Sequence, residues 1–303
     1  MAKRKSGRDI HGILLLDKRL GVSSNKALQE VRRLFNANKA GHTGSLDPLA
    51  SGLLPLCFGE ATKVSAMMLD DNKRYRVVIQ LGVQTDTGDA EGNVIDEKPV
   101  PELSAHQIEH CLQHFIGEIE QIPPMYSALK HQGKKLYELA REGKTVVRKA
   151  RKITIFELLL LQANKDLLTL DVFCSKGTYI RSLAEDIGEY LGCCATVKEL
   201  RRTASGQFSI DQAFTLEQLQ ALAESALQDV LIDVDKPLEA MPAVHLSSEQ
   251  AGCIRQGQRL IVNESIQGMV RMYYEQVFLG LGEMLLDGKL APKKLFRLNR
   301  ESV

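Results

Sequence analysis

The sequence predicts one large domain that mixes strands with helices, followed by a small, mostly β domain. Three observations carry that expectation. With 303 residues, 44% of them hydrophobic, the chain exceeds one average domain and can bury a sizeable core. Through most of its length, apolar residues recur with period two in some stretches and at helical spacing in others. From Asp233 to Pro242 the pattern changes: two prolines and a cluster of acids read as a linker, beyond which short apolar runs alternate with Gly257, Gly268, Gly280, Gly282 and Gly288.

Taken in order, a basic tail (Lys3, Arg4, Lys5, Arg8) precedes Gly12 to Asp17, an apolar run expected to be a short buried strand. Ser24 and Asn25 then open an amphipathic helix through Phe35. A glycine-rich loop over 41–52 leads into a second apolar run, Leu53 to Phe58. From Tyr75 to Leu81 the residues alternate, placing Tyr75, Val77, Ile79 and Leu81 on one inward face. Residues 85–92 read as a surface loop. His106, His110 and His114 sit four apart on a helix predicted to run on past Ile119. Ile108, Cys111, Leu112, Phe115 and Ile119 centre on nearly the opposite side, so the histidines belong to a solvated face and not to a metal site. Ile122 and two prolines interrupt that helix. A strand through Leu168, Leu170, Val172 and Cys174 ends in the tight turn 175–177, and Thr178 to Ile187 restarts as a helix. Residues 215–231 read as one plain amphipathic helix.

Charge is segregated although the net is only +1. Residues 1–40 hold ten Lys/Arg against three Asp/Glu, residues 125–155 nine against two, and residues 211–250 one against eight. A last basic run comprises Lys289, Lys293, Lys294, Arg297 and Arg300. Three basic tracts favour a polyanionic partner, nucleic acid first among them. Tract 125–155 mixes Lys134 and Lys135 with Tyr137, as an RNA-gripping segment would. No apolar run is long enough to span a membrane and no secretory signal opens the chain, so a cytoplasmic location is expected. The six cysteines show neither a C-x-x-C pair nor a zinc spacing and read as reduced and mostly buried. Loop 41–52 lacks the Gly-Lys-Ser/Thr ending of a P-loop. Gly143-Lys-Thr145 has the ending but Glu138 where the first glycine belongs, and Gly280-Leu-Gly282 lacks the third glycine of a dinucleotide site.

Asp47 is the residue with two readings. Followed by proline, it looks like a helix N-cap with proline at the first position. The cap does not exclude a second role: a carboxylate on a loop stiffened by glycines and proline is held in one place, as a catalytic group must be.

At these residues the chain resembles a known family. Gly41-His-Thr-Gly-Ser-Leu-Asp-Pro-Leu-Ala-Ser-Gly52 is similar to the catalytic motif of the TruB family of tRNA pseudouridine synthases. The likeness continues through Gly59 to Lys63, Lys73 to Arg76, 85–88, Ile122 to Lys130, Gly133 to Tyr137, Cys174 to Arg181 and Leu200 to Arg202. It implies an α+β fold: a mixed, mainly antiparallel sheet with flanking helices over 1–240, carrying 125–155 as an RNA-gripping insertion, and a PUA-like RNA-binding domain over 241–303. It implies isomerisation of the uridine at position 55 of the tRNA T-loop, with no cofactor, no metal, no membrane and no obligate protein partner, by a chain expected to act as a monomer. Carried over by motif, Asp47 is the nucleophile, Arg181 pairs with its carboxylate, Tyr75 packs on the target base, Tyr179 and Leu200 line the base pocket, and His42 supports the opened loop. Lys63, Lys130, Lys134 and Arg202 are expected to contact RNA.

Each role has a physical rationale. A uridine inside a folded loop exposes its glycosidic bond only when extruded, and the gap must be refilled. The planar His42 ring suits that filling, and Tyr75 offers a stacking surface, though an ordinary core tyrosine fits its strand position equally well. Alone, Arg181 would be a solvated helix residue, and Tyr179 and Leu200 packing residues. Arg181 is expected to lower the Asp47 pKa and keep it ionised. Asp47 can attack C1′ or remove a proton from C2′, and a non-catalytic RNA-binding module and a base-excising glycosylase remain as alternatives.

Overall fold

A computed structural model describes residues 7–263 and 265–298 of the chain; Lys3, Arg4 and Lys5 of the tail and Arg300 of the last basic run lie outside the described residues. The first apolar run forms β1 (Gly12–Lys18). Leu14 and Leu16 face one apolar cluster, Ile13 and Leu15 another, which is why the run needs no polar alternation. Ser23 accepts from the Lys26 amide and caps α1 (Ser24–Leu34), whose Ala27, Leu28 and Val31 enter the first cluster. β2 (Ala40–His42) and β3 (Ala50–Phe58) bracket the glycine-rich loop. After α2 (Ser65–Leu69) comes β4 (Lys73–Leu81). In β4, Val77, Ile79 and Leu81 are buried and Tyr75 packs on the same cluster, while Arg76 is exposed, as the alternation predicts.

β5 (Val83–Thr85) and β6 (Val94–Glu97) form a hairpin ahead of α3 (Ala105–His114). The three histidines of α3 are exposed and Ile108, Cys111 and Leu112 are buried, as expected. The helix stops five residues before Ile119, however. Gly117 adopts φ +107°, which a helix cannot continue through, and Ile119 lies in β7 (Gly117–Gln121). Within the basic tract, β8 (Lys130–His131) and β9 (Lys134–Lys135) make a small hairpin before α4 (Leu136–Arg141). The tract's last five residues, from Arg151, already belong to the long β10 (Arg151–Asn164). β11 (Leu167–Cys174), the 175–177 turn and α5 (Ile180–Tyr190) confirm the strand, turn and helix order, and β12 (Ala195–Ser205) and β13 (Phe208–Ser209) follow.

Among the described residues these strands make a nine-stranded sheet with the central order β1-β3-β12-β4-β11-β10-β7, β2 added on β3 and β13 on β12. Only the β3–β12 pairing is parallel. The sheet is thus mixed and mainly antiparallel.

The helix expected over 215–231 does not form as one piece. α6 (Leu216–Ala221) ends at Leu222, which is extended, and only a short 3-10 turn, Glu224–Leu227, follows. Both ends of the segment are tied to β1: Phe214 pairs with Leu16 and Ile232 with Ile13. Those anchors are about 10 Å apart along a strand, whereas seventeen helical residues would span about 25 Å, so the segment must fold back.

α7 (Ser248–Arg255) packs on a five-stranded sheet of β14 (Ala243–Leu246), β15 (Leu260–Ile261), β16 (Gly268–Tyr274), β17 (Val277–Met284) and β18 (Lys289–Leu295), ordered β14-β16-β17-β18-β15. Its Phe278, Leu281 and Phe296 join Ile13, Leu15 and Leu53 in the second apolar cluster, which docks the small sheet behind β1 and β3. The 233–242 stretch is accordingly a packed connector, not a loose linker. Val234 and Leu238 are buried in that cluster, Asp235 receives the Tyr273 hydroxyl, and Arg271 donates to the Met241 carbonyl at 2.9 Å.

Candidate active site

Loop 43–49 is fixed at several points. Ser24, expected only to open a helix, also gives and receives a hydrogen bond with the Leu46 backbone, at 2.9 and 2.7 Å. The Pro48 carbonyl accepts from Gly21 N at 2.9 Å, and Ala50 N closes a turn onto the Asp47 carbonyl at 3.0 Å. The chain then enters β3 and no helix follows, so Asp47 is not an N-cap. Pro48, with φ fixed by its ring, starts the turn instead. Gly52 sits at φ +104° against the Arg202 backbone, leaving no room for a Cβ, so the loop closes tightly on β12.

The Asp47 carboxylate meets Arg181 at 2.9 Å. Its side chain remains 45% exposed while that of Arg181 is 6% exposed, so a buried cation presents one edge to a carboxylate at the surface. Both terminal nitrogens of Arg181 are also tied to backbone: Nη1 to the Thr87 carbonyl at 2.7 Å and Nη2 to the Tyr126 carbonyl at 2.6 Å, with the buried Asp89 carboxylate 3.8 Å from Nη1. A planar fork tied at both terminal nitrogens has one orientation. Residues 85–92 are therefore not merely surface: Thr85, Gly88 and Asp89 are buried, and Asp89 itself receives Thr87 Oγ1 at 2.7 Å and Glu91 N at 3.1 Å. Thr87, Asp89 and Tyr126 are participants that sequence reasoning missed. Thr87 and Tyr126 lay within the resembling segments 85–88 and Ile122 to Lys130 and Asp89 just beyond the first, but nothing local announced that they would meet a distant arginine.

The balance of charge differs from expectation. Burial raises the Asp47 pKa above its ordinary value; Arg181 pulls it back, Asp89 raises it again, and Lys18 opposes. Arg181 thus lowers the pKa without winning. Lys18, also unforeseen, is held at the end of β1 by the Arg19 and Val22 carbonyls at 3.0 and 2.8 Å, and burial brings its pKa down to about 8 against the opposing pull of Asp47 and Glu91. Burial, with Arg202 adding, lowers the His42 pKa, so the imidazole is neutral near pH 7, and its Nδ1 has no hydrogen-bond partner among the described residues.

Tyr75 on β4 sits opposite Arg202 on β12, and Leu200, buried, lies between Val77 of β4 and Ala50 of β3. Burial raises the Tyr75 pKa, with the Arg202 guanidinium opposing it. Tyr179 is the half-buried N-cap residue of α5, two positions before Arg181. The sheet and α5 hence bring Asp47 and Arg181 near Tyr75 and Tyr179, both of which feel the Asp47 charge, with Leu200 beside the Tyr75 strand and His42 at the loop's entry.

The expected RNA contacts divide. Lys130 and Lys134 are exposed on the β8–β9 hairpin, Lys134 within 3.6 Å of Glu142. Arg202 is a correction: only 1% exposed, it donates to the Leu53 carbonyl at 2.7 Å and the Gly44 carbonyl at 3.0 Å, bracing the Asp47 loop from beneath. Lys63 is largely committed too, to Glu60 and to the Leu295 carbonyl at 2.7 Å, where it clasps the small domain. In the last basic run, Lys289 and Lys293 pair with Asp287 and Glu283, and Lys294 donates to the Lys63 carbonyl.

Comparison with known proteins follows the chain nearly end to end. Residues 32–180 match the model of the TruB family pseudouridylate synthase N-terminal domain, 181–239 that of the tRNA pseudouridylate synthase B C-terminal domain, and 242–296 that of the pseudouridine synthase II TruB C-terminal region. The tRNA pseudouridine synthase B of Chromohalobacter salexigens is 50% identical over 298 residues, covering 97% of each chain. That of Vibrio parahaemolyticus is 47% identical over 308 residues, covering 97% of this chain and 98% of its own. Among solved structures, a chain in a Cbf5-Nop10-Gar1 complex superimposes with a TM-score of 0.72 at 25% identity, covering 95% of this chain and 85% of that one.

Proposed function

This chain belongs to the TruB family of pseudouridylate synthases, and from that premise we propose how its own residues convert the T-loop uridine of tRNA, position 55, to pseudouridine. The uridine leaves its loop and comes to lie against β4, β12 and the start of α5. Tyr75 stacks on the base, Leu200 and Tyr179 wall the pocket, and the neutral His42 ring fills the space left in the loop. Asp47 faces the ribose. The C1′–N1 bond breaks with its electrons leaving on the base. If Asp47 attacks C1′, its ester bond breaks as C5 bonds to C1′ after the base turns; if Asp47 takes the C2′ proton, it returns that proton as C5 adds to the glycal. Either way the C5 proton leaves and N1 takes one up. Arg181 holds the carboxylate in one direction throughout. Lys130 and Lys134 lie where a phosphate backbone crossing the insertion would meet them.

The observation that carries this reading is the Asp47–Arg181 pair at 2.9 Å, with the cation buried and the carboxylate half-exposed on the glycine-rich loop. Asp47→Asn should bind tRNA normally and release no tritium from C5-labelled uridine; turnover by that variant would refute the assignment. Release of free uracil from the substrate would instead indicate a glycosylase.

A further inference from the structure

We propose that Gln121 is a positioning residue: its buried carboxamide clamps the Tyr179 backbone and so aims Arg181 at Asp47. The inference rests on the roles given above to Asp47 and Arg181. Gln121 ends β7 and is 3% exposed, an unusual place for an amide unless all its polar atoms are used. Its Oε1 accepts from Tyr179 N at 2.8 Å and its Nε2 donates to the Tyr179 carbonyl at 3.0 Å. That reciprocal pair is what a neighbouring strand would offer an extended residue, and Tyr179 is extended, with φ −99° and ψ 108°.

The reason a side chain takes this part lies two residues on. Pro123 and Pro124 have no N–H, so β7 cannot prolong its ladder beyond Gln121 and Ile122. The amide supplies a donor and an acceptor at one point instead. Two further ties run between the same segments: Ser182 Oγ donates to the Ile122 carbonyl at 3.2 Å, and Arg181 Nη2 to the Tyr126 carbonyl at 2.6 Å. Residues 121–126 therefore grip 179–182, the opening turn of α5, on which both the pocket residue Tyr179 and the cation Arg181 stand. The first turn of a helix has free N–H groups and little intrinsic rigidity, so an external clamp there decides where its side chains point.

The test separates positioning from folding and from RNA binding. In single-turnover tritium release, Gln121→Met should slow conversion of bound tRNA about 10- to 100-fold, as a misplacement of roughly 1 Å does. Its tRNA Kd should stay within about threefold, because the residue touches no RNA. Gln121→Asn, one methylene too short to bridge both atoms, should lose a comparable factor, and it keeps the test open if the methionine variant does not fold. In an Arg181→Lys background the same substitutions should cost clearly less than they do alone, since only the Tyr179 wall remains to be displaced. Wild-type rates in both variants, a loss seen only in Kd, or full additivity with Arg181→Lys would each overturn the proposal. Asp47→Asn, run alongside, should be inactive; product from it would overturn the nucleophile reading itself and with it the reason for aiming Arg181.

Discussion

Arg202 offers a sharp choice between two roles, because a brace and a phosphate contact respond oppositely to substitution. Replaced by methionine, it withdraws its donors from the Leu53 and Gly44 carbonyls. Each hydrogen bond from a charged group contributes about 1.5–3 kcal/mol, and relief of a buried charge offsets part of the loss, leaving a net destabilisation of about 2–4 kcal/mol. For a domain of this size that lowers Tm by about 4–16 °C. With Gly44 unfastened, the Asp47 loop loosens, and the rate of the bound complex should fall about 10- to 100-fold. Thermal melts, single-turnover tritium release and tRNA affinity across a salt series read all three quantities. As a brace, Arg202→Lys does not restore stability and the salt slope stays at its wild-type value. As a phosphate contact, Arg202→Met leaves Tm alone, reduces the slope by about one, and is rescued by lysine. That second pattern would refute the reasoning.

Arg181→Lys keeps the charge but not the fork that reaches Asp47, Thr87 and Tyr126 together; bound-state turnover should fall by about 2–4 kcal/mol of barrier, roughly 30- to 1,000-fold, with affinity unchanged in a filter-binding assay. Because the Asp47 pKa is raised on folding, its stabilising state is the protonated one, present at low pH and lost as pH rises through the folded value. At pH 7 the ionised group therefore opposes folding, and Asp47→Asn should show an equal or higher Tm than wild type, the difference shrinking in acid; a clear Tm loss at pH 7 would contradict the balance of effects. Lys18 gives a second pH signature: with its pKa brought down to about 8 from 10.5, the unfolded chain binds more protons between those values, so stability should climb there in urea titrations and the climb should flatten in Lys18→Met. Lys130→Glu and Lys134→Glu should weaken tRNA binding and lower the salt slope by about one each without changing the rate of bound substrate.

What the sequence disclosed and what it hid divide along a physical line. Elements whose faces are decided locally were legible: the two-sided burial of Gly12–Lys18, the alternation of β4 and the exposed histidine face of α3 each follow from the spacing of apolar residues. The residues proposed for the site were picked out through a long, specific motif resemblance. Features decided by distant partners were not. Nothing near residue 222 announces that Phe214 and Ile232 both pair with β1, which is what breaks the expected long helix. The acids and prolines of 233–242 resemble a linker until Tyr273 and Arg271, about thirty to forty residues on, hold them. Arg202 reads as surface because arginine usually is, yet the bend at Gly44 and the Leu53 carbonyl occupy its donors.

The most direct test of the mechanism is a crystal structure of Asp47→Asn bound to a T-stem-loop RNA. The account predicts the target uridine swung out of its loop, its base on Tyr75, His42 in the vacated space, and the residue 47 side chain about 3–3.5 Å from ribose C1′ or C2′. A uridine still stacked within its loop, with its sugar beyond reach of residue 47, would contradict it.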